Sequence, residues 1–396
     1  LKPRALFVYF LCRTIRPSRR HTATMPGEPA AKKARVAKAQ DFIKGWPNPT
    51  LLTQPELQLA LNKSFQAFLG RTGQFLNYGD ADNGAYMLGM PDFRKALADF
   101  LSKQYGAPCD WNTIMSTGGS SMGTDICCRM HTEHGDYAVT EGPTYYLAHN
   151  MMRNRGLNLL EVPIQADGMD LDALEKLCEQ QGGKIKLVYT VAVHHNPTGI
   201  TMSNAKRERL LKLAKKFNFK IIADEAYQLL NFSPSGVKPL FYHDDPADPR
   251  VFSIGTFSKL IGPGTKVGWI QAHPALLKPL ASIGFIDSGN NPVIFASGVL
   301  LDFITSGALA KHIDYVSVEL KKKKDLLVGE LKKVGLEPND PQGGYFVWCK
   351  TKGKATGRSG KGMTLDPPDA FENYMRLCFA WLTDEQIIEG IEYLKE

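Results

Sequence analysis

The chain has 396 residues, which is enough to bury a large core and exceeds the usual size of one domain. Its formal net charge is +8, but residues 1–40 carry ten Lys and Arg against a single acid, Glu28. The rest of the chain is therefore close to neutral. It provides no broad cationic face, so we expect no nucleic-acid partner.

Residues 1–40 are predicted to form a disordered basic arm. Residues 1–24 contain six basic residues and no acid, which is typical of a mitochondrial transit segment but equally of translated upstream sequence. The protein would then start upstream of Leu1 or at Met25. The apolar run at 6–12 is too short to span a bilayer, so we expect no membrane partner. A cytoplasmic protein is the primary expectation, and a mitochondrial one follows if 1–24 is a genuine transit segment.

Seven cysteines are present, an odd number in no metal-binding spacing. This pattern predicts neither a metal site nor a closed set of disulfides, and it indicates a reducing compartment.

The predicted elements alternate between helices and strands. A helix is predicted over 92–105, and a Gly- and Ser-rich turn at 116–123 precedes another helical stretch at 126–130. Apolar runs at 187–193, 219–223 and 251–254 are predicted strands. A long helix is predicted over 313–334, and the last helix begins with a capping box at Thr383 and Gln386. This alternation predicts an α/β fold.

Each of the three predicted strands ends in a polar cluster. Asn196, Asp224 and Lys259 follow the first, second and third strand, at intervals of 28 and 35 residues. Each interval leaves room for a crossover helix between parallel strands. Because ligands bind beyond the carboxyl ends of such strands, we expect the three residues to share one crevice. Taken singly, the clusters also fit a turn, a helix N-cap and a solvated loop lysine.

Together, and in this order, the clusters resemble those of the fold type I pyridoxal-phosphate-dependent aminotransferases of class I/II. The stretch Gly-Thr-Phe-Ser-Lys at 255–259, with Pro-Gly at 263–264, is most similar to the 2-aminoadipate and broad-specificity branch. The resemblance implies a large domain with a mostly parallel seven-stranded sheet covered by helices, and a smaller α/β C-terminal domain. Residues 41–75 would form an N-terminal segment of the small domain, 76–305 the large cofactor-binding domain, and 306–396 the small C-terminal domain.

The resemblance also implies roles for the polar residues. Lys259 would hold pyridoxal phosphate as a Schiff base and, once freed, move the proton of the substrate α-carbon. Asp224 would keep the pyridine nitrogen protonated, and Asn196 and Tyr227 would hydrogen-bond the phenolic oxygen. Tyr145 would stack on the cofactor ring. Lys259, Asp224 and Tyr227 are thus the predicted catalytic residues.

A phosphate site is expected where the turn at 116–123 meets its helix, because backbone N–H groups and the helix dipole suit an anion there. The predicted phosphate-binding residues are Gly119, Ser120, Ser121, Thr256, Ser258 and Lys266. Lys266 stands where the family usually has arginine, and lysine lacks the bidentate fork. Met122 replaces a residue that is usually polar. Tyr78 would reach the cofactor phosphate of a neighbouring subunit, which implies a homodimer.

At the substrate end, Arg376 matches the arginine that binds the substrate α-carboxylate. Gly45 lies in a Gly-Trp-Pro segment similar to the one that closes over the substrate, and Asn196 is a further predicted substrate contact. The implied substrates are an L-amino acid and a 2-oxo acid. The resemblance leaves the side chain of the amino acid open.

The chain departs from the family after Lys350. Only 32 residues separate Gly344 from Arg376, and the stretch at 351–362 is glycine-rich and basic. We therefore expect a small domain that is shortened at 351–370. Two alternatives to a transaminase stay open at this point. One is a carbon–sulfur β-lyase or aminocyclopropanecarboxylate-synthase-like enzyme on the same fold, and the other is a cofactor-binding protein without turnover.

Overall fold

A central mixed sheet positions the predicted site residues. The computed structural model describes residues 39–78, 86–233, 237–353 and 356–395. Within them the sheet has eight strands, which are β1 (Ile114–Thr117), β2 (Tyr137–Gly142), β3 (Asn158–Gln165), β4 (Gly168–Met169), β5 (Ile185–Thr190), β6 (Lys220–Asp224), β7 (Val251–Thr256) and β8 (Gly268–Gln271). Their order is β1-β8-β7-β6-β5-β2-β3-β4.

The middle of this sheet is parallel and buried. β3, β2, β5, β6 and β7 run parallel to one another. β8 is antiparallel to both of its neighbours, β7 and β1, so β1 runs in the direction of the central strands, and β4 is antiparallel to β3 at the other edge. β7 is buried throughout, and β5 and β6 each have only one residue that is not fully buried, as expected for strands covered on both faces. The predicted α/β fold is confirmed, with the two-residue β4 added at one edge of the predicted sheet.

Helices cover the sheet and build most of the remaining core. In the described residues they are α1 (Pro49–Leu52), α2 (Pro55–Leu69), α3 (Thr72–Phe75), α4 (Pro91–Tyr105), α5 (Ser120–His131), α6 (Leu147–Asn154), α7 (Leu171–Gln181), α8 (Asn204–Phe217), α9 (Pro274–Ala281), α10 (Gly284–Gly289), α11 (Ile294–Thr305), α12 (Ala308–Lys333) and α13 (Asp384–Glu392). The helices predicted at 92–105 and 313–334 correspond to α4 and to most of α12. The capping box of Thr383 and Gln386 at the start of α13 is also present.

The two predicted crossovers differ from each other. α8 connects β5 to β6, as the spacing predicts. Between β6 and β7 the described residues contain only a short 3-10 helix, Leu240–His243, so the expected second crossover helix is not found in that part of the chain. In the described residues of this connection, side chains form hydrogen bonds to the polar groups of the backbone. One example is Glu225, whose carboxylate accepts a hydrogen bond from the backbone N–H of Leu240 at 2.8 Å.

A second, smaller sheet contains β9 (Phe346–Lys350), β10 (Arg358–Ser359) and β11 (Tyr374–Cys378), in the order β10-β11-β9. The segment that was expected to be shortened thus supplies β10. The described residues belong to one compact unit, so the predicted division into large and small domains stays a prediction. Residues 1–38 lie outside the described residues, and with them nearly all of the predicted arm.

Three further features bear on the predicted partners. No single helix in the described ranges is long and apolar enough to cross a membrane, although α11 and α12, bent by 81° at their junction, together meet the criteria of length and composition. Within the same ranges, no cluster of three or more His, Cys, Asp or Glu could hold a metal ion. The six cysteines found there are free thiols.

Candidate active site

A cavity of about 430 Å³ lies beyond the carboxyl ends of β5, β6 and β7, and its volume is in the range of small-molecule sites. All but one of the predicted site residues line it. These are Gly45, Gly119, Ser120, Ser121, Tyr145, Asn196, Asp224, Tyr227, Thr256, Ser258, Lys259, Lys266 and Arg376. The expectation that Asn196, Asp224 and Lys259 share one crevice is confirmed.

Lys259 ends a short 3-10 turn that follows β7 directly. Its Nζ donates a hydrogen bond to the carbonyl oxygen of Gly45 at 2.9 Å and lies 5.9 Å from the ring centroids of both Tyr227 and Tyr345. Burial lowers the pKa of Lys259, with the nearby carboxylate of Asp224 acting in the opposite direction. The hydroxyl of Tyr345 donates to the backbone carbonyl of Lys259 at 2.6 Å and so fixes the turn. The amine is therefore held in place and shifted toward its neutral, nucleophilic form.

Asp224 is the last residue of β6 and presents one satisfied and one unsatisfied oxygen. Its Oδ2 accepts a hydrogen bond from the Tyr189 hydroxyl at 2.9 Å. Its Oδ1 is buried and has no partner among the described residues. Burial raises the pKa of Asp224, and the hydrogen bond from Tyr189 lowers it. A buried carboxylate oxygen of this kind fits a cationic N–H donor such as a protonated pyridine nitrogen.

An anion cradle lies at the start of α5. Gly119, the N-cap residue, has a φ of 88° and offers no side-chain cap, so the first N–H groups of the helix are left for an anion. A Cβ at Gly119 would lie 3.8 Å from the hydroxyl oxygens of both Thr256 and Ser258. Gly268 permits this close approach, because a Cβ there would lie 2.9 Å from the Gly119 Cα. Backbone donors and two hydroxyls therefore converge at one point, which suits a phosphate.

The two departures from the family pattern at this cradle have different consequences. Lys266 is exposed at the mouth of the cavity, with a φ of 48°. It supplies a positive charge without a fixed hydrogen-bonding geometry. Met122 packs under the turn, and its sulfur accepts a hydrogen bond from the backbone N–H of Gly118 at 3.1 Å. Met122 thus supports the shape of the turn, although it lacks the polar side chain usual at that position.

Arg376 lies in the middle of β11 and is 7% exposed. Its guanidinium donates to Asn196 Oδ1 at 3.0 Å and to the carbonyl oxygen of Ile43 at 2.7 Å, and its Cζ lies 4.2 Å from the ring centroid of Phe346. Its Nε is buried without a partner among the described residues. Gly45 packs on the same ring, since a Cβ there would lie 3.0 Å from Phe346. The site thus combines a buried cation with a free donor, as carboxylate binding requires.

Two of the three predicted tyrosines line the cavity. Tyr227 and Tyr145 both line the cavity; burial raises the pKa of Tyr145 to about 12 and that of Tyr227 well above its usual range. Both phenols therefore stay protonated donors at neutral pH. Tyr78 does not line this cavity. Its side chain is 68% exposed and its carbonyl accepts a hydrogen bond from Asn290, so its predicted contact with a second subunit stays a prediction.

Several residues of the cavity, and Tyr189 behind Asp224, were not predicted from the sequence. Tyr189 lies inside an apolar strand, and the usable signal was that a buried tyrosine hydroxyl needs a hydrogen-bond partner. Phe346 lines the cavity from β9, but nothing in the sequence places its ring beneath Arg376. Trp46 and Gly118 also line the cavity and belong to segments that were expected at the site. The other wall residues, which were not predicted, are Ile43, Lys44, Tyr146, Leu147, Val191, Ala226 and Pro263.

Comparison with known proteins places this geometry in a family. Residues 51–394 match the family described as aminotransferase class I and II. Aromatic-amino-acid aminotransferase 1 of Thermococcus litoralis is 33% identical over 342 residues, which cover 82% of this chain and 80% of that protein. The 2-aminoadipate transaminase of Thermus thermophilus is 27% identical over 300 residues, covering 71% and 74% of the two chains.

Among solved structures, the multiple substrate aminotransferase of Thermococcus profundus superposes with a TM-score of 0.78 at 28% identity, covering 92% of this chain and 91% of that one. The predicted resemblance is thereby confirmed, and the expected shortening of the small domain at 351–370 stays a prediction. The chain belongs to the class I and II aminotransferases, which use pyridoxal phosphate to exchange amino groups between amino acids and 2-oxo acids.

Proposed function

We propose that Lys259, Asp224, Asn196, Tyr227 and Arg376 carry out the transamination in this chain. The observation that carries the proposal is the arrangement of one cavity. It places a lysine amine with a lowered pKa, an unpartnered oxygen of Asp224 and an arginine with a free Nε within reach of one small molecule.

Each residue then has a defined task. When bound, pyridoxal phosphate supplies an electron sink for the electron pair of the substrate α-carbon. The Oδ1 of Asp224 would hold a proton on the ring nitrogen, and Tyr189 keeps that carboxylate in place. The Lys259 amine, whose pKa is lowered by burial, would take the proton of the substrate α-carbon and deliver it to the cofactor carbon that carries the amino nitrogen. The Tyr227 hydroxyl and the amide N–H of Asn196 would donate to the phenolic oxygen.

Arg376 orients the substrate. A guanidinium binds a carboxylate through two parallel hydrogen bonds, so any α-amino acid can be held by the same contact. The hydrogen bond from Arg376 to Asn196 joins the substrate-binding residue to a cofactor-binding residue. A substrate carboxylate bound by Arg376 would therefore be set in a fixed position relative to the cofactor ring, which is what proton transfer at the α-carbon requires.

We further propose that donors with aromatic side chains are accepted. The walls near the substrate end are aromatic, with Trp46, Tyr145, Tyr146 and Phe346 all lining the cavity. Aromatic walls bury large apolar area and favour planar side chains. The similarity to an aromatic-amino-acid aminotransferase supports the same class.

We also propose that the active enzyme is a homodimer. Apolar side chains of α2, α10 and α11 are well exposed, with Phe65 at 41%, Phe285 at 49% and Phe295 at 50%. Large exposed apolar groups of this kind are typical of protein interfaces. Tyr78 belongs to the same part of the fold through its hydrogen bond from Asn290. Sedimentation of the native chain and a Phe295→Asp variant tests this, and a native monomer that is fully active would contradict it.

The function is tested by a single-turnover measurement. Phenylalanine is added to the purified protein loaded with pyridoxal phosphate, and the visible absorbance and products are followed. We expect the bound cofactor to convert to its amine form with release of one equivalent of 2-oxo acid. A cysteine S-conjugate is tested in parallel, and its conversion with water into free thiol, pyruvate and ammonia would instead identify a lyase. Unchanged absorbance with every amino acid of a panel would identify a cofactor-binding protein without turnover.

A further inference from the structure

A second arginine lies beside Arg376, in the segment where the chain departs from its family. Arg358 belongs to the two-residue β10, and it is the direct cross-strand partner of Arg376 in the antiparallel pair β10–β11. Side chains of direct cross-strand partners project from the same face of a sheet. Arg376 lines the cavity from that face, and so Arg358 is on the cavity side of the small sheet.

The contacts of Arg358 place it against the cavity wall. Its Cζ lies 5.0 Å from the ring centroid of Tyr146, a residue that lines the cavity. Its Nε is buried and has no hydrogen-bond partner, and no carboxylate in the described ranges forms an ion pair with it. Burial is the main cause that lowers the pKa of Arg376, and the positive charge of Arg358 adds a smaller contribution in the same direction, as expected for neighbouring cations.

Two adjacent arginines without an acid between them are unfavourable unless an anion joins them. Like charges directly opposite each other on neighbouring strands destabilise the pair, and a buried unpaired guanidinium N–H costs further free energy. Lys44, another cation that lines the cavity, differs in this respect, because it forms an ion pair with Asp41 at 3.3 Å and lies over the ring of Trp381. Arg358 is thus suited to an external carboxylate.

We propose that Arg358 binds the distal carboxylate of a dicarboxylic substrate whose α-carboxylate is bound by Arg376. The substrate class is an amino acid or 2-oxo acid with a second carboxylate at the end of its side chain. An aromatic substrate would use the same space by stacking on Tyr146 and Phe346 instead. This inference rests on the proposed function, and it makes Arg358 a specificity-determining residue that takes no part in the proton transfer.

Hydrogen bonds of the backbone at 360–365 hold the irregular stretch that contains Arg358 in place. The backbone N–H of Gly360 donates to the carbonyl of Tyr374 at 2.9 Å, and that of Thr144 donates to the carbonyl of Met363, also at 2.9 Å. The backbone N–H of Leu365 donates to Glu161 on β3 at 2.7 Å. The segment is therefore attached both to the small sheet and, through Thr144 after β2 and Glu161 within β3, to the large sheet.

The test compares two acceptors that differ only in the second carboxylate, 2-oxoglutarate and 2-oxopentanoate. With phenylalanine as the donor, kcat/KM is measured for each acceptor in the native holoenzyme and in Arg358→Gln. We expect the ratio of the two values, dicarboxylic over monocarboxylic, to fall about 10- to 100-fold in Arg358→Gln, the range of a lost hydrogen bond to a charged group. The loss should lie mainly in KM for 2-oxoglutarate.

Two further variants keep the result interpretable. Arg358→Lys keeps the positive charge but lacks the two parallel N–H donors of the guanidinium. We expect its ratio of kcat/KM values, dicarboxylic over monocarboxylic, to lie between those of the native protein and Arg358→Gln. Lys361→Gln removes the same charge from an exposed position of the same segment, where Lys361 pairs with Glu372 at 3.2 Å. We expect Lys361→Gln to leave the ratio unchanged.

The possible failures are distinguishable. If both acceptors are turned over but Arg358→Gln leaves their ratio at the native value, the assignment of Arg358 is overturned and the proposed function stands. The same holds if Lys361→Gln lowers the ratio as much as Arg358→Gln, because the effect would then be one of general charge. If neither acceptor is used and no donor converts the bound cofactor, the proposed function itself has failed.

Discussion

The cofactor side and the substrate side of the cavity are built in different ways. On the cofactor side, Asp224 ends a buried strand, and Lys259 lies three residues beyond another. On the substrate side, Arg376 is held by the carbonyl of Ile43, 333 residues away in sequence, and Arg358 lies in a strand of two residues. The residues proposed for the chemistry thus lie on elements fixed by the central sheet, and those proposed for substrate selection lie on segments joined by a few long-range contacts.

We therefore expect substitutions on the cofactor side to lower kcat. Substitutions on the substrate side should instead change substrate selectivity or the free energy of unfolding. The sharpest test is Lys259→Ala, which removes both the covalent link to the cofactor and the base. We expect kcat to fall about 10⁴-fold. Reduction of the holoenzyme with borohydride, followed by mass spectrometry of its peptides, should find the cofactor on Lys259 in the native protein and on no residue in the variant.

Lys266→Ala is the matched control, because it removes another lysine that lines the same cavity. Covalent attachment should persist in Lys266→Ala, with an affinity for pyridoxal phosphate lowered about tenfold through loss of a charged phosphate contact. Cofactor bound covalently in Lys259→Ala would contradict the role of Lys259. If the covalent link were lost only in Lys266→Ala, Lys266 would be the residue that binds the cofactor covalently.

Asp224→Asn tests the ring-nitrogen contact. The amide keeps the shape of the side chain but cannot hold a proton on the pyridine nitrogen. We expect kcat to fall about 10²- to 10³-fold, comparable with the removal of a preorganised electrostatic contact. Binding of the cofactor should change less than kcat, since Lys259 and the anion cradle at Gly119 remain. A variant with native kcat would show that the unpartnered Oδ1 has no part in the chemistry.

A smaller effect is expected one step further from the cofactor. Tyr189→Phe removes the hydroxyl that donates to Asp224 and leaves the carboxylate less firmly held. The loss of one buried hydrogen bond corresponds to roughly 1 kcal/mol, or about fivefold in kcat. The pH dependence of kcat separates this from simple destabilisation: without the Tyr189 hydroxyl the pKa of Asp224 should rise, so activity should begin to fall at a higher pH as the solution is acidified. An unchanged pH profile would assign Tyr189 a packing role only.

The same comparison explains what could be predicted from the sequence. Asn196, Asp224 and Lys259 each follow an apolar run, and the geometry of a parallel sheet brings the ends of such runs together. Gly119 and its hydroxyl neighbours follow from the requirements of a phosphate. In these cases the residues that the chemistry requires follow a strand or begin a helix, so a short stretch of sequence is enough to identify them.

The rest depends on long-range packing that no local pattern encodes. The ring of Phe346 beneath Arg376 and the pairing of Arg358 with Arg376 depend on the register of β9, β10 and β11. β10 has only two residues and lies in a glycine-rich stretch, so no periodicity marks it. The composition of 351–362 is glycine-rich and basic, and the role proposed for Arg358 within it depends on the fold.

The smallest expected effect concerns the attachment of that stretch to the large sheet. Glu161 accepts the backbone N–H of Leu365, and burial raises the pKa of Glu161 to about 7. The unfolded chain has the ordinary value of 4.5, so between about pH 4.5 and about pH 7 the folded protein binds more protons than the unfolded one. The stability contributed by Glu161 is therefore fully present below pH 4.5 and is lost as the pH rises through about 7.

Glu161→Gln should remove this pH dependence while keeping an oxygen that accepts from Leu365. We expect the free energy of unfolding of the variant, relative to the native protein, to increase between pH 5 and pH 8 by on the order of 1 kcal/mol, less than a fully buried group would give. Denaturant unfolding at the two pH values measures this difference, and Glu372→Gln, an exposed change on the same segment, serves as the control. A constant difference between Glu161→Gln and the native protein would mean that the carboxylate is ionised at both pH values. The segment that carries Arg358 would then be attached to the large sheet independently of pH in this range.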